Sequence, residues 1–191
     1  MAKKNLSLRY VLAFALLGSV WSSLNPALQA QMATAPSAAS HSDVKAGPLD
    51  RAQATAILPA TVYYMGATAP VQGRNSAGIR FASGKLVLTA LVDASGYSSE
   101  IQQTYQGYLL NETQLKIGDK TLGPGAYGFG FVAGNRMVVM DIAGNEILHA
   151  TTTRDEELKR PDPLHIIPDA SSPGHYRLYL GRNYITLSAA K

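Results

Sequence analysis

From residue 58 onward, short apolar runs alternate with turn-forming clusters of Gly, Asn, Asp and Pro, and that rhythm constrains the fold more than any other feature of the chain. Runs at residues 61–65, 78–82, 85–92, 104–110 and 114–117 read as strands. Residues 126–132, 136–142 and 146–151 follow as a meander, and 164–167 is a further short strand. Residues 176–180 and 184–187 form a closing hairpin around Gly181-Arg182-Asn183, where Gly or Asn accepts the positive φ of a tight turn. The pattern predicts an all-β domain, an antiparallel β-sandwich or partly open barrel of about 8–10 short strands. The run from Lys85 to Val92 is apolar on both alternating faces, which suits a central strand covered on two sides.

The segment Leu122-Gly-Pro-Gly-Ala-Tyr-Gly-Phe-Gly-Phe131 is glycine-rich, yet it lacks a Gly-Lys-Ser/Thr sequence and no helical pattern follows it, as a phosphate loop requires. Period-two alternation runs through it instead. Tyr127, Phe129 and Phe131 share one face, expected to enter the core. Gly128 and Gly130 share the other, where a neighbouring ring or backbone can approach closely. A ligand is the alternative occupant of that gap.

This segment also carries a resemblance. Lys116 to Tyr127, with its Leu-x-x-Gly-x-Tyr step, resembles a hairpin of secreted bacterial β-sandwich domains. The resemblance extends over Tyr63 to Val71, Gly78 to Phe81, Leu91 to Tyr97, Val138 to Asp141 and Tyr176 to Tyr179. Together these segments cover roughly residues 59–187 and resemble a group of uncharacterised secreted bacterial proteins. The resemblance implies a sandwich fold and an exported compartment, and it implies no catalytic residues.

Residues 1–30 read as a secretory signal peptide. Lys3, Lys4 and Arg9 form its charged start, residues 11–17, continuing to Val20 and Trp21, its apolar centre, and Ala30 supplies the small residue for cleavage, with Ala33 as an alternative. The apolar run of about 11 residues falls short of the ~20 of a spanning helix, so no membrane span is expected once the signal is removed. Residues 31–57, rich in Ala, Ser, Thr and Pro, read as a flexible linker, with a short helix possible from Asp50 to Ile57. The β-sandwich domain is expected at 58–191. Three of the 17 cations and none of the 13 acids lie in the first 30 residues, so residues 31–191 carry a net charge of only +1. That balance argues against a nucleic-acid partner. The absence of cysteine excludes disulfides, thiolate metal ligands, a cysteine nucleophile and a lipid-modified N-terminal cysteine.

Tyr97, Tyr105 and Tyr108 lie amid Ser, Gln, Thr and Gly, the composition of adaptable contact surfaces, and are the candidate binding residues. On one strand Tyr105 and Tyr108 would face opposite sides, placing one in the core. Asp93, Ser95 and Glu100 lack the frame of a calcium loop and read as a turn held by side-chain-to-backbone hydrogen bonds. Thr153 and Glu156 match a helix capping box, and a solvated charged loop is the reading preferred there. His41, His149, His165 and His175 show no zinc-binding spacing. No nucleophile elbow and no obvious pair of carboxylates is present. No cofactor, metal or catalytic residue is therefore assigned. The leading expectation is an exported, non-catalytic binding or interaction module whose partner is an envelope protein or glycan. The alternative is a small periplasmic hydrolase or isomerase whose site gathers His149 or His165 with a carboxylate in three dimensions. A third reading is an accessory subunit that pairs through a sheet edge.

Overall fold

The computed structural model describes residues 45–190. The signal segment, the linker up to residue 44, and with them Trp21 and His41, lie outside these residues. In chain order the elements are β1 (Gly47–Leu49), α1 (Arg51–Ile57), β2 (Thr61–Tyr64), β3 (Ala67–Arg80), β4 (Leu86–Val92), α2 (Ser99–Thr104), β5 (Gly107–Asn111), β6 (Leu115–Ile117) and β7 (Lys120–Leu122). There follow β8 (Gly125–Val132), β9 (Arg136–Met140), β10 (Glu146–Thr151), β11 (Thr153–Arg154), β12 (Leu164–Pro168), β13 (His175–Leu180) and β14 (Asn183–Ala189).

Two antiparallel sheets result, and neither closes into a barrel. The larger has the order β1-β3-β4-β5-β8-β9-β10, with β2 paired to the first part of β3. The smaller has the order β12-β13-β14-β6-β7, with β11 paired to β14. Between the sheets lies the main core. Ile79, Val87, Leu109, Phe129 and Val139 enter it from the larger sheet, and Leu115, Ile117, Leu178, Ile185 and Leu187 from the smaller. The expected aromatic face of β8 is therefore a core face, with Phe129 fully buried and Tyr127 and Phe131 packed at its margin.

The double-faced strand behaves as its sequence requires. On β4, Val87 points to the inter-sheet core, while Leu88 and Ala90 point outward beneath Ala54 and Leu58. Ala54 lies on α1 and Leu58 is its C-cap. Asp50 caps the N-terminus of α1, its side chain accepting from Gln53 N at 2.8 Å while Gln53 Oε1 accepts from Asp50 N at 2.9 Å. The fold thus begins before the expected boundary at 58, because β1 pairs with β3 and α1 covers the larger sheet.

Three further elements differ from the alternation pattern. The strand read at 78–82 is the second half of a long β3, which starts at Ala67 and passes through Pro70. Its register shifts between Gln72 and Ser76, so Gly73, Arg74 and Asn75 form a bulge. The strand read from 104 instead begins at Gly107, because residues 99–104 are helical under a Ser98 cap. The capping-box match at Thr153 forms no helix. Thr153 and Arg154 pair with Tyr184 and Asn183, and Glu156 binds Arg154 at 2.8 Å in a charged loop. The closing hairpin turns on Gly181 and Arg182, with Gly181 at φ +61°. Among the described residues no helix is long and apolar enough to cross a membrane.

Candidate functional site

The tyrosines chosen as binding candidates come together, but against the sheet. Helix α2 ends at Tyr105, whose ring is 1 % exposed and stacks on Tyr64 with centroids 3.8 Å apart at 15°. Tyr97 meets both rings edge-on, at 6.0 and 5.5 Å, and its hydroxyl donates to the carbonyls of Tyr64 and Ala67. Tyr108 is half-buried against the same layer. Gly128 is what admits the rings. A Cβ there would stand 2.9 Å from the Tyr64 ring and 3.0 Å from that of Tyr105. At Gly130 a Cβ would run into the backbone carbonyl of Thr104. The glycine face is thus filled by packed neighbours. Tyr105 and Tyr108 lie on the same side of the sheet, contrary to the parity expectation, because the strand does not reach back to Tyr105. Burial raises the phenol pKa of Tyr64, Tyr97, Tyr105 and Tyr108, so these hydroxyls stay neutral.

Beside this layer is a shallow cavity of about 490 Å³ lined by Gln72, Asp93, Ser95, Gln102, Tyr105 and Gln106, among others. Its glutamines and Asp93 are already engaged, while the Tyr105 hydroxyl is buried without a partner. Gln72 Nε2 donates to Val92 O at 3.1 Å, and Gln102 Nε2 to Tyr97 O at 2.8 Å. Gln106 accepts from Phe131 N at 2.9 Å and donates to Phe131 O at 3.1 Å. Asp93 accepts from Ser95 N at 3.0 Å, the turn expected from the sequence, and hydrogen bonds from Ser95 hold its carboxyl below the usual range. Among the described residues no group of three or more His, Cys, Asp or Glu is placed to hold a metal.

The histidines separate. His149 on β10 pairs with Glu146 at 2.9 Å, both exposed at the edge of the larger sheet. His165 on β12 lies flat on Tyr179, with centroids 4.6 Å apart at 8°, and burial lowers its pKa. Tyr179 donates to Asp155 Oδ2 at 2.9 Å. Arg177 binds Asp169 at 3.0 Å and lies 4.7 Å over the Tyr184 ring. These rings spend their faces on each other and on Arg177, so this ladder is not an open stacking platform. The sheet-edge reading calls for a long uninterrupted edge, and β10 carries a bulge at Ile147.

A groove of about 860 Å³ lies at the end of the sandwich that carries the β3–β4 turn. One cross-strand row supplies its polar wall. His175 on β13 pairs with Ser188 on β14, Ser188 with Lys116 on β6, and Lys116 with Thr121 on β7. Alternation turns all four side chains away from the core, because Leu115, Ile117 and Leu187 beside them point inward. The groove continues over the sheet end to Phe81 and Tyr176, which meet edge-on at 5.9 Å. Among the described residues, none of these polar side chains is spent on a hydrogen bond. His175 Nδ1 is buried without a partner, and Ser188 is only 8 % exposed. An adjoining depression shares Ala46 and adds Lys45 and Arg80, whose Nε is also buried without a partner. A row of four polar side chains on neighbouring strands, with a fixed cation among them, distinguishes this groove from the cavity at Tyr105, where the glutamines and Asp93 are bonded internally.

Sequence reasoning did not find the row. Its members come from three separate stretches, and alternation gives the direction of each side chain without giving the register that aligns them. No family model, curated protein or solved structure matches the chain.

Proposed function

We propose that this protein is an exported, non-catalytic binding module of the cell envelope whose ligand occupies the groove at the end of the sandwich. His175 Nδ1, buried in the groove wall without an internal partner beside the exposed Lys116 and Thr121, carries this reading, because a buried polar group left unpaired is matched by what binds there. The charged start and short apolar centre of residues 1–30, and the resemblance to secreted bacterial sandwich domains, support export.

One observation favours the hydrolase alternative: Ser188 lies directly across the ladder from His175. A serine nucleophile needs its base within hydrogen-bond reach and the base oriented by a third group. His175 Nδ1 has no partner, and no carboxylate of the described residues lines the groove. Binding is therefore the better reading.

A fragment screen by ligand-observed NMR, combined with ester and amide turnover assays, tests both. Hits should perturb Lys116, His175 and Ser188, and turnover should be absent. Turnover abolished by Ser188→Ala would install the enzyme instead. Hits confined to other surfaces would move the site. Mass spectrometry of the exported fraction should find an N-terminus near Gln31, and an intact Met1 there would remove the export reading.

A further inference from the structure

We infer that the groove selects a small organic monoanion, a carboxylate carried on a planar apolar body. This rests on the groove being the binding site. Among the described residues the lining includes one fixed cation, Lys116, no acid, and the neutral or donor-bearing groups of Ser188, Thr121, Gln114 and His175. A ligand carrying its own cation would face Lys116 with no counter-charge. A neutral ligand would leave the ammonium without an ionic partner. Cross-strand neighbours have Cβ atoms about 5 Å apart, so Lys116 and His175 flank Ser188 closely enough to converge on a single head group. A carboxylate over Ser188 accepts from the serine hydroxyl and from the Lys116 ammonium, both charge-assisted bonds. One fixed cation balances one negative charge. The adjoining depression adds Lys45 and Arg80 and again has no acid in its lining. Tyr176, half-buried at the far side of the groove with the core residue Phe81 packed edge-on behind it, offers one apolar wall for a flat body.

The test is an NMR titration of the purified protein with three near-isosteric probes: benzoate, benzyl alcohol and benzylammonium. Benzoate should bind about tenfold or more tighter than the alcohol, the ammonium should be weakest, and the perturbed amides should be those of residues 116, 175 and 188. Lys116→Met should bring benzoate down to the level of the alcohol while leaving the alcohol unchanged. Lys116→Arg should keep the preference. Because Lys116 is exposed, neither variant should alter the melting temperature. Equal binding of the three probes in the groove, or tightest binding of the ammonium, would overturn the anion inference and leave the groove as the site. If none of the probes perturbs the groove while screen hits lie elsewhere, the site assignment itself falls.

Discussion

The two sheets finish their outer faces in opposite ways. On the larger sheet, the chain between β1 and β3 folds back as α1 and β2, and the chain between β4 and β5 folds back as α2. These segments bury Leu88, Ala90, Val138 and Met140 from outside, giving the sheet a second apolar layer. On the smaller sheet, β6 and β7 are joined by Gly118 and Asp119, and β13 and β14 by Gly181 and Arg182. Two-residue turns cannot reach back over a sheet. The outward positions there carry Lys116, Arg177, Thr186 and Ser188, with the stacked rings of His165, Tyr179 and Tyr184 and an exposed Ile167 in place of an aliphatic second layer. Where the longer connection after β11 reaches back, Asp155 meets the buried Tyr179; where only two-residue turns lie, Lys116 and Thr121 stay exposed.

Substitutions can break this contrast, and the strongest lies in the wall both sheets share. Phe129→Ala should cost about 3–5 kcal/mol in urea unfolding, because it empties a fully buried site between the sheets. Next comes the covered face. Gly128→Val should destabilise by about 1–3 kcal/mol, since the added atoms press on the Tyr64 and Tyr105 rings. Gly130→Val should cost at least as much, because the Thr104 carbonyl is backbone and cannot rotate aside. Neutral behaviour of both glycine variants would mean that the second layer is loosely held and the contrast between faces is false.

The outer face of the smaller sheet should respond less, and with a pH signature. Tyr179→Phe removes the bond to Asp155 and should cost about 1 kcal/mol at neutral pH. That hydroxyl, followed by backbone bonds from Glu157 and Leu158 and the charge of Arg177, holds the Asp155 carboxyl below its ordinary 3.8. A carboxyl depressed in the folded state stabilises the fold above its unfolded pKa, and the contribution is lost as pH falls through the folded value. The stability gap between wild type and Tyr179→Phe should therefore narrow as pH drops below about 3.8. A gap that stays constant down to pH 2 would place the bond's contribution elsewhere.

The same division explains what was legible beforehand. The double-faced 85–92 run and the glycine–aromatic alternation of β8 encode burial locally, so both faces of the larger sheet could be read. Helix α2 was not, because Ile101 is the one apolar residue among 99–104 and leaves no 3.6-residue period to see. The first half of β3 was hidden by Pro70 and Gly73, residues that argue against a strand; Pro70 lies where β2 pairs with β3, and Gly73 lies in the bulge. The groove was invisible for another reason. Lys116, His175 and Ser188 are unremarkable polar residues until strand register sets them side by side.

The smallest expected effect is also the one that decides the contrast. Lys116→Met removes a charge from an exposed position flanked by Leu115 and Ile117, which both face the core. Its side chain has no hydrogen-bond or ion-pair partner among the described residues, and methionine keeps a long apolar stem on the strand. Surface substitutions of this kind fall within about ±0.5 kcal/mol. Unfolding of Lys116→Met should therefore superimpose on wild type while its benzoate preference disappears. A loss of stability comparable to that of Gly128→Val would mean that the row on β13, β14, β6 and β7 holds the smaller sheet together. Both outer faces would then be structural, and the groove would lose its claim to be the part of the molecule reserved for a ligand.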